Sequence, residues 1–184
     1  DASSALAEGE LMQRADAWSA DVSTERYLER CRLKTARLFE AACRAGALLG
    51  PHPECADALG AFGDRTGLAF QILDDVLDVS GPPERTGKPR GTDLLDGTVT
   101  LPLILARERD PELRKLDLRE TVSDGAQADA FCDRIALTGA LNTARELALG
   151  YVAEAKAVLF GLDLTDQQRN ALDLVADGVV ERYA

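Results

Sequence analysis

Histidine occurs once in this sequence, as His52 between two prolines, and none of the four cysteines is spaced as Cys-x-x-Cys. That scarcity argues against a zinc site and against a Cys–His nucleophile pair. Cys31, Cys43 and Cys55 recur at a near-helical interval and are expected to mark core positions, and all four cysteines, Cys132 included, are expected as reduced thiols in a cytoplasmic protein. Long apolar runs are also missing: nothing approaches the roughly 18–20 uninterrupted residues of a membrane span, and the stretch around Val76 and Leu77 is broken by aspartates. Basic charge is in short supply, with 21 Lys and Arg against 32 Asp and Glu and a net charge of -11. A nucleic-acid partner, which needs a basic surface, is therefore not expected. An evenly solvated surface explains the acidity, and an acidic cluster that collects a divalent metal is compatible with it. The chain opens Asp-Ala-Ser-Ser without methionine, so its natural start is expected to lie elsewhere or to have been processed.

Strand signals are nearly absent, and what is present is helical periodicity. Helices are expected over 5–19, 24–49, 53–79, 101–109, 128–138, 141–159 and 166–182. Gly50-Pro51 ends the second of these as a C-cap followed by a breaker. The third carries Gly60, Gly63 and Gly67, each costing about 1 kcal/mol of helix propensity relative to alanine, which close helix–helix contact would explain. Ser80 to Gly97 reads as the one polar loop of any length. With 46% apolar residues and no internal repeat or linker, residues 1–184 read as a single all-α domain.

The chemistry concentrates in Gly-Leu-Ala-Phe-Gln-Ile-Leu-Asp-Asp-Val-Leu-Asp, residues 67–78. On a helix Asp74 and Asp78 stand one turn apart and Asp75 reaches the same rim. Like charges so placed repel by a few tenths of a kcal/mol, so either solvent screens them or a cation sits between them. Phe70, Ile72, Leu73, Val76, Leu77 and Val79 make this helix apolar over much of its surface, the mark of a helix buried among others. Aspartates on it would line a cavity, and all-oxygen ligands suit Mg²⁺ bridging to substrate phosphates. Lys34, in an otherwise apolar helix, and Lys88, in Thr-Gly-Lys-Pro-Arg-Gly, are the cations such a site needs, while surface solubilisation is the simpler reading of any one lysine. Arg85 and Arg90 carry that simpler reading too.

In their order and spacing these pieces resemble the trans-isoprenyl diphosphate synthases, the polyprenyl synthetase family. Phe70 to Asp78 is similar to the family's second aspartate-rich motif. Gly87-Lys88, Gly91-Thr92-Asp93-Leu94 and Thr100-Leu101-Pro102-Leu103 follow it, with Gly9-Glu10-Leu11, Gln13, Tyr27-Leu28 and Lys34-Thr35-Ala36 upstream. The resemblance covers the whole chain. It implies the C-terminal half of an isoprenoid-synthase-type helical bundle. In such a bundle Mg²⁺ would bind the diphosphate of an allylic substrate, whose ionisation precedes attack by isopentenyl diphosphate. Carried over by position, Asp74 would ligate metal, with Asp75 and Asp78 completing or supporting its sphere. Lys34 and Lys88 would clamp the diphosphate, and Thr35 and Gln71 would offer oxygens to the developing cation.

Two departures stand out. Thr98 stands where the family often has a basic residue, and no second Asp-Asp-x-x-Asp occurs. A partner subunit or an N-terminal half carrying the first motif is therefore expected, giving a hetero-oligomer or a longer enzyme. Two other readings are a non-catalytic regulatory subunit of a complete synthase and a class I terpene cyclase. The intact aspartates and lysines count against the first. The lack of a mixed Asn, Ser or Thr and Glu motif counts against the second.

Overall fold

A computed structural model describes residues 1–81, 87 and 89–181. Among them the regular structure is helical. Helix α1 spans Ala2–Ala15 and α2 spans Thr24–Cys31. A single π-turn, Arg32–Ala36, leads into α3, Arg37–Leu49, and a 3₁₀ turn, Pro53–Cys55, opens α4, Ala56–Ser80. Then come α5 (Thr92–Leu95), α6 (Leu101–Arg109), α7 (Pro111–Lys115), α8 (Leu118–Thr121), α9 (Gly125–Leu137), α10 (Ala140–Leu159) and α11 (Asp166–Glu181).

The chain divides into two compact units. The first comprises Asp1–Glu10, Cys31–Gln71 and Leu147–Ala184, and the second comprises Leu11–Arg30 and Ile72–Glu146. Small residues dominate the interior of the first: Ala36, Ala47, Ala56, Ala69, Ala148, Ala155 and Ala176 are buried there beside Phe62, Leu68 and Leu159. Small side chains allow close approach. A Cβ placed on Gly63 would lie 2.5 Å from the Phe39 carbonyl oxygen, and one on Gly67 would lie 2.6 Å from Ala36 Cα. The expected packing role of these two glycines is thus a backbone contact, while the atoms nearest a Cβ at Gly60 belong to the flexible Arg44 side chain. Large branched and aromatic residues fill the second unit, with Ile72, Val76, Leu101, Leu103, Leu113, Phe131 and Ile135 all buried.

Three helices of the second unit start on aspartates. Asp110 accepts from the Glu112 and Leu113 amides, Asp117 from those of Arg119 and Glu120, and Asp124 from that of Gln127. Each satisfies amides that a helix leaves without an internal partner. In the first unit α11 opens on a capping box: Thr165 Oγ1 accepts from the Gln168 amide at 3.2 Å, and Gln168 Oε1 accepts from the Thr165 amide at 2.9 Å.

The structure corrects several sequence expectations. Helix α1 ends at Ala15, and Trp18 lies beyond it with a φ of 65°. The segment expected as one helix over 24–49 contains the π-turn. Between the helices expected over 101–109 and 128–138, where no helix was expected, lie α7 and α8. Cys31 and Cys55 are buried as expected, but Cys43 is only half-buried.

Candidate functional site

The last two turns of α4 carry the three aspartates, and the fold treats them differently. Asp75 and Asp78 are buried, 4% and 2% exposed, whereas Asp74 is half-buried. Asp75 Oδ2 accepts a 2.7 Å hydrogen bond from the Tyr27 hydroxyl of α2. Asp78 Oδ2 accepts from the Asp93 backbone amide at 3.1 Å, and the Asp78 carbonyl accepts from the Gly91 amide at 2.9 Å. Gly91 has a φ of 71°, and a Cβ there would lie 3.0 Å from Cys132 Sγ and 3.1 Å from Ala128 Cβ. Only glycine allows the chain to turn back so closely onto α4 and α9. Burial, the largest cause, pushes the Cys132 thiol up to about 12, so it stays protonated and inert beneath this turn.

Tyr27 is held in turn. It is fully buried, and the Arg30 guanidinium lies 5.5 Å from its ring centroid. Arg30 stands 3.8 Å from the buried Asp16 carboxylate, which also pairs with Arg26 at 2.7 Å. The Arg30–Asp16 contact is an ion pair rather than a hydrogen bond, and the Arg30 guanidinium also donates to the Val99 carbonyl. The chain Asp16–Arg30–Tyr27–Asp75 therefore fixes one carboxylate from behind. Arg90 is likewise committed to structure: its guanidinium bonds Asp129 at 2.6 Å and Asp133 at 2.8 Å on α9, and the Asp133 bond is the chief cause that raises its pKa.

Among the described residues no group of three His, Cys, Asp or Glu side chains is placed to hold a metal by itself. The donor chemistry still fits magnesium, which usually takes one or two carboxylates and completes its octahedron with water and phosphate oxygens. All three aspartates are carboxylates of that kind, and Asp75 and Asp78 have part of their acceptor capacity engaged within the protein.

The first unit holds the other polar candidates. Lys34 and Thr35 lie in the π-turn. Thr35 Oγ1 donates to Gln71 Oε1 at 2.7 Å, which ties the π-turn to α4. Lys34 Nζ pairs with Glu10 Oε1 of α1 at 3.0 Å, both groups being partly exposed. Lys34, Thr35 and Gln71 are thus brought together within one unit, and Asp74, Asp75 and Asp78 within the other. Lys88 and Arg85 lie outside the described residues. Residue-type reasoning overlooked the parts played by Glu10, Tyr27 and the Asp93 amide. A tyrosine in an otherwise charged helix, Thr-Glu-Arg-Tyr-Leu-Glu-Arg-Cys, was the available signal for Tyr27. A backbone donor leaves none. Thr98, the departure from the family pattern, accepts a 3.4 Å hydrogen bond from Gln13 Nε2.

The Polyprenyl synthetase family profile matches residues 1–135. The chain is 38% identical over 183 residues to a short chain isoprenyl diphosphate synthase of Methanothermobacter thermautotrophicus, covering 96% of this chain and 55% of that protein. It is 36% identical over 167 residues to heptaprenyl diphosphate synthase component 2 of Geobacillus stearothermophilus, covering 90% of this chain and 52% of that one. Among solved structures, polyprenyl synthase from Caulobacter crescentus, complexed with calcium and isoprenyl diphosphate, superposes with a TM-score of 0.89 at 37% identity. That match covers 100% of this chain and 57% of the other. The chain thus spans about half the length of the curated relatives it matches.

Proposed function

Because this chain belongs to the polyprenyl synthetase family, we propose that it works as the part of a trans-prenyltransferase that carries the second aspartate-rich motif. The substrates are an allylic diphosphate and isopentenyl diphosphate. Asp74 is the metal-ligating carboxylate, and Asp75 and Asp78 support it through the buried hydrogen bonds to Tyr27 and Asp93. Lys34 and Lys88 bind the diphosphate. The oxygens of Thr35 and Gln71 present their negative ends to the allylic carbon as the diphosphate departs, in a site where water is scarce. Magnesium, when bound, supplies neutralisation of the departing diphosphate charge.

The observation that carries this reading is the unequal treatment of the aspartates. A cluster kept only for solubility would leave all three in water, but here Asp75 and Asp78 are buried in hydrogen bonds and Asp74 is half-buried. Completion of the site rests on a further segment or a partner subunit with its own Asp-Asp-x-x-Asp. Two facts support that part of the proposal: this sequence has a single copy of the motif, and one relative is named as a component of a synthase.

Native mass spectrometry of the protein purified from its own cells, with Mg²⁺, tests it. A bound partner or a longer chain bearing a second motif, with prenyltransferase activity in that species, is the expected result. Absence of activity from every species containing this chain would withdraw the catalytic proposal.

A further inference from the structure

The π-turn that carries Lys34 and Thr35 is gripped from two sides by glycines. A π-turn holds one residue more than an α-turn, so it changes the direction in which the following side chains leave the helix. On one side lies α1: a Cβ placed on Gly9 would stand 2.7 Å from Lys34 N and 2.9 Å from both Lys34 Cα and Cβ. On the other lies α4: a Cβ on Gly67 would stand 2.6 Å from Ala36 Cα and 3.2 Å from the side chains of Ala36 and Phe39. Several of these neighbours are backbone atoms, which cannot swing aside as a side-chain tip can. Both glycines lie in helices and neither has a positive φ, so the turn geometry does not demand them. Each costs its helix about 1 kcal/mol against alanine. The helices pay that cost where backbone meets the π-turn. Gly46 offers the contrast: it lies in α3, exposed, with nothing within 4 Å of its notional Cβ.

We propose that Gly9 and Gly67 are positioning residues that set the direction of Lys34 and Thr35 by letting two helices press on the π-turn backbone. The proposal rests on the reading of Lys34 as a diphosphate ligand and goes beyond it by naming what aims that ligand. An added methyl group at either glycine must move the turn, shifting the Lys34 ammonium and the Thr35–Gln71 hydrogen bond while leaving every functional group in the chain. A misplacement of about 1 Å can cost as much as a hundredfold in a catalytic site.

The test compares Gly9→Ala, Gly67→Ala, Gly46→Ala and Lys34→Ala in the active synthase containing this chain. Circular dichroism and melting come first. Two readings follow: calorimetric binding of inorganic pyrophosphate with Mg²⁺, and the KM values for both substrates. Gly9→Ala and Gly67→Ala are expected to weaken pyrophosphate binding and to raise the KM for the allylic diphosphate by about tenfold, with the KM for isopentenyl diphosphate within about twofold. Gly46→Ala should match the parent. One folded glycine variant behaving as expected supports the proposal. Folded variants that bind pyrophosphate like Gly46→Ala, while Lys34→Ala binds weakly, overturn it and leave the diphosphate reading standing. Unchanged binding in Lys34→Ala removes that reading and the proposal together. Failure of both glycine variants to fold assigns the glycines to folding alone and also overturns it.

Discussion

The two units bury their apolar residues to different degrees. Of the nine large hydrophobic side chains left exposed among the described residues, Leu38, Leu48, Leu49, Leu149, Phe160, Leu174 and Val175 lie in the first unit, and only Leu11 and Leu137 in the second. Leu49 and Phe160 reach 89% and 80% exposure. The second unit encloses large side chains and locks its carboxylates with hydrogen bonds. The first packs alanines and glycines closely around a few large buried side chains and leaves seven others exposed. The first unit thus presents more large apolar side chains to solvent than the second.

The sharpest way to break this contrast is at the aspartates. Asp74→Ala should lower turnover of the assembled enzyme by about a hundred- to a thousandfold, in the range of lost electrostatic stabilisation, with the same subunit composition by native mass spectrometry. Near-normal turnover would overturn the metal assignment. Core truncation comes next. Ile135→Ala, in the second unit at 0% exposure, should destabilise the isolated chain by about 2–5 kcal/mol in urea unfolding. Leu174→Ala, 71% exposed in the first, should stay within about 0.5 kcal/mol in the same assay. If Leu174→Ala proved as costly as Ile135→Ala, the first unit would be burying that face itself.

A smaller effect separates positioning from packing. Tyr27→Phe keeps the buried ring but removes the donor to Asp75, and should cost about 1.5–3 kcal/mol of stability, since the acceptor is a carboxylate. It should also raise the Mg²⁺ concentration needed for half-maximal activity. A melting curve and magnesium titration identical to the parent would show that the hydrogen bond contributes nothing. The smallest effect is at Asp110, which caps α7 and pairs with Arg134 at 2.9 Å. Burial raises the pKa of this carboxyl, but the Arg134 hydrogen bond and the Glu112 and Leu113 amides outweigh it, and the net direction is downward from 3.8. A depressed carboxylate adds stability above its unfolded value and loses it as pH falls through the lower folded value. The melting-point gap between the parent and Asp110→Asn should therefore be flat at neutral pH and close only well into acid, below about pH 4. A gap that persists at the lowest pH would assign Asp110 a role independent of its charge.

Much of this architecture could be read from residue order. The long helices announce themselves through apolar spacing, and the capping box at Thr165 sits where the periodicity begins. The π-turn could not be read, because one extra residue alters helical phase too little to stand out against the scatter of apolar positions in residues 24–49. Helices α7 and α8 were legible in principle: Asp110-Pro111 and Asp117 are cap signals at regular intervals, but the helices they open are too short for periodicity to register. Asp74, Asp75 and Asp78 read as one cluster, since helical spacing places all three on a rim. Their separation into one half-buried and two buried groups depends on Tyr27 and on the Asp93 amide, which come from distant parts of the chain.

Trp18 is the sequence's one tryptophan. Its amide donates to the Gly97 carbonyl at 2.8 Å, and a Cβ on Gly97 would fall 2.2 Å from the indole ring. The indole therefore lies flush against the turn that leads into Thr98 and α6. The protein thus carries a built-in optical reporter: excited at wavelengths too long for its three tyrosines to absorb, it emits from a single indole within the second unit. A shift in that emission during unfolding or ligand addition can be assigned to this turn without labelling or mutation.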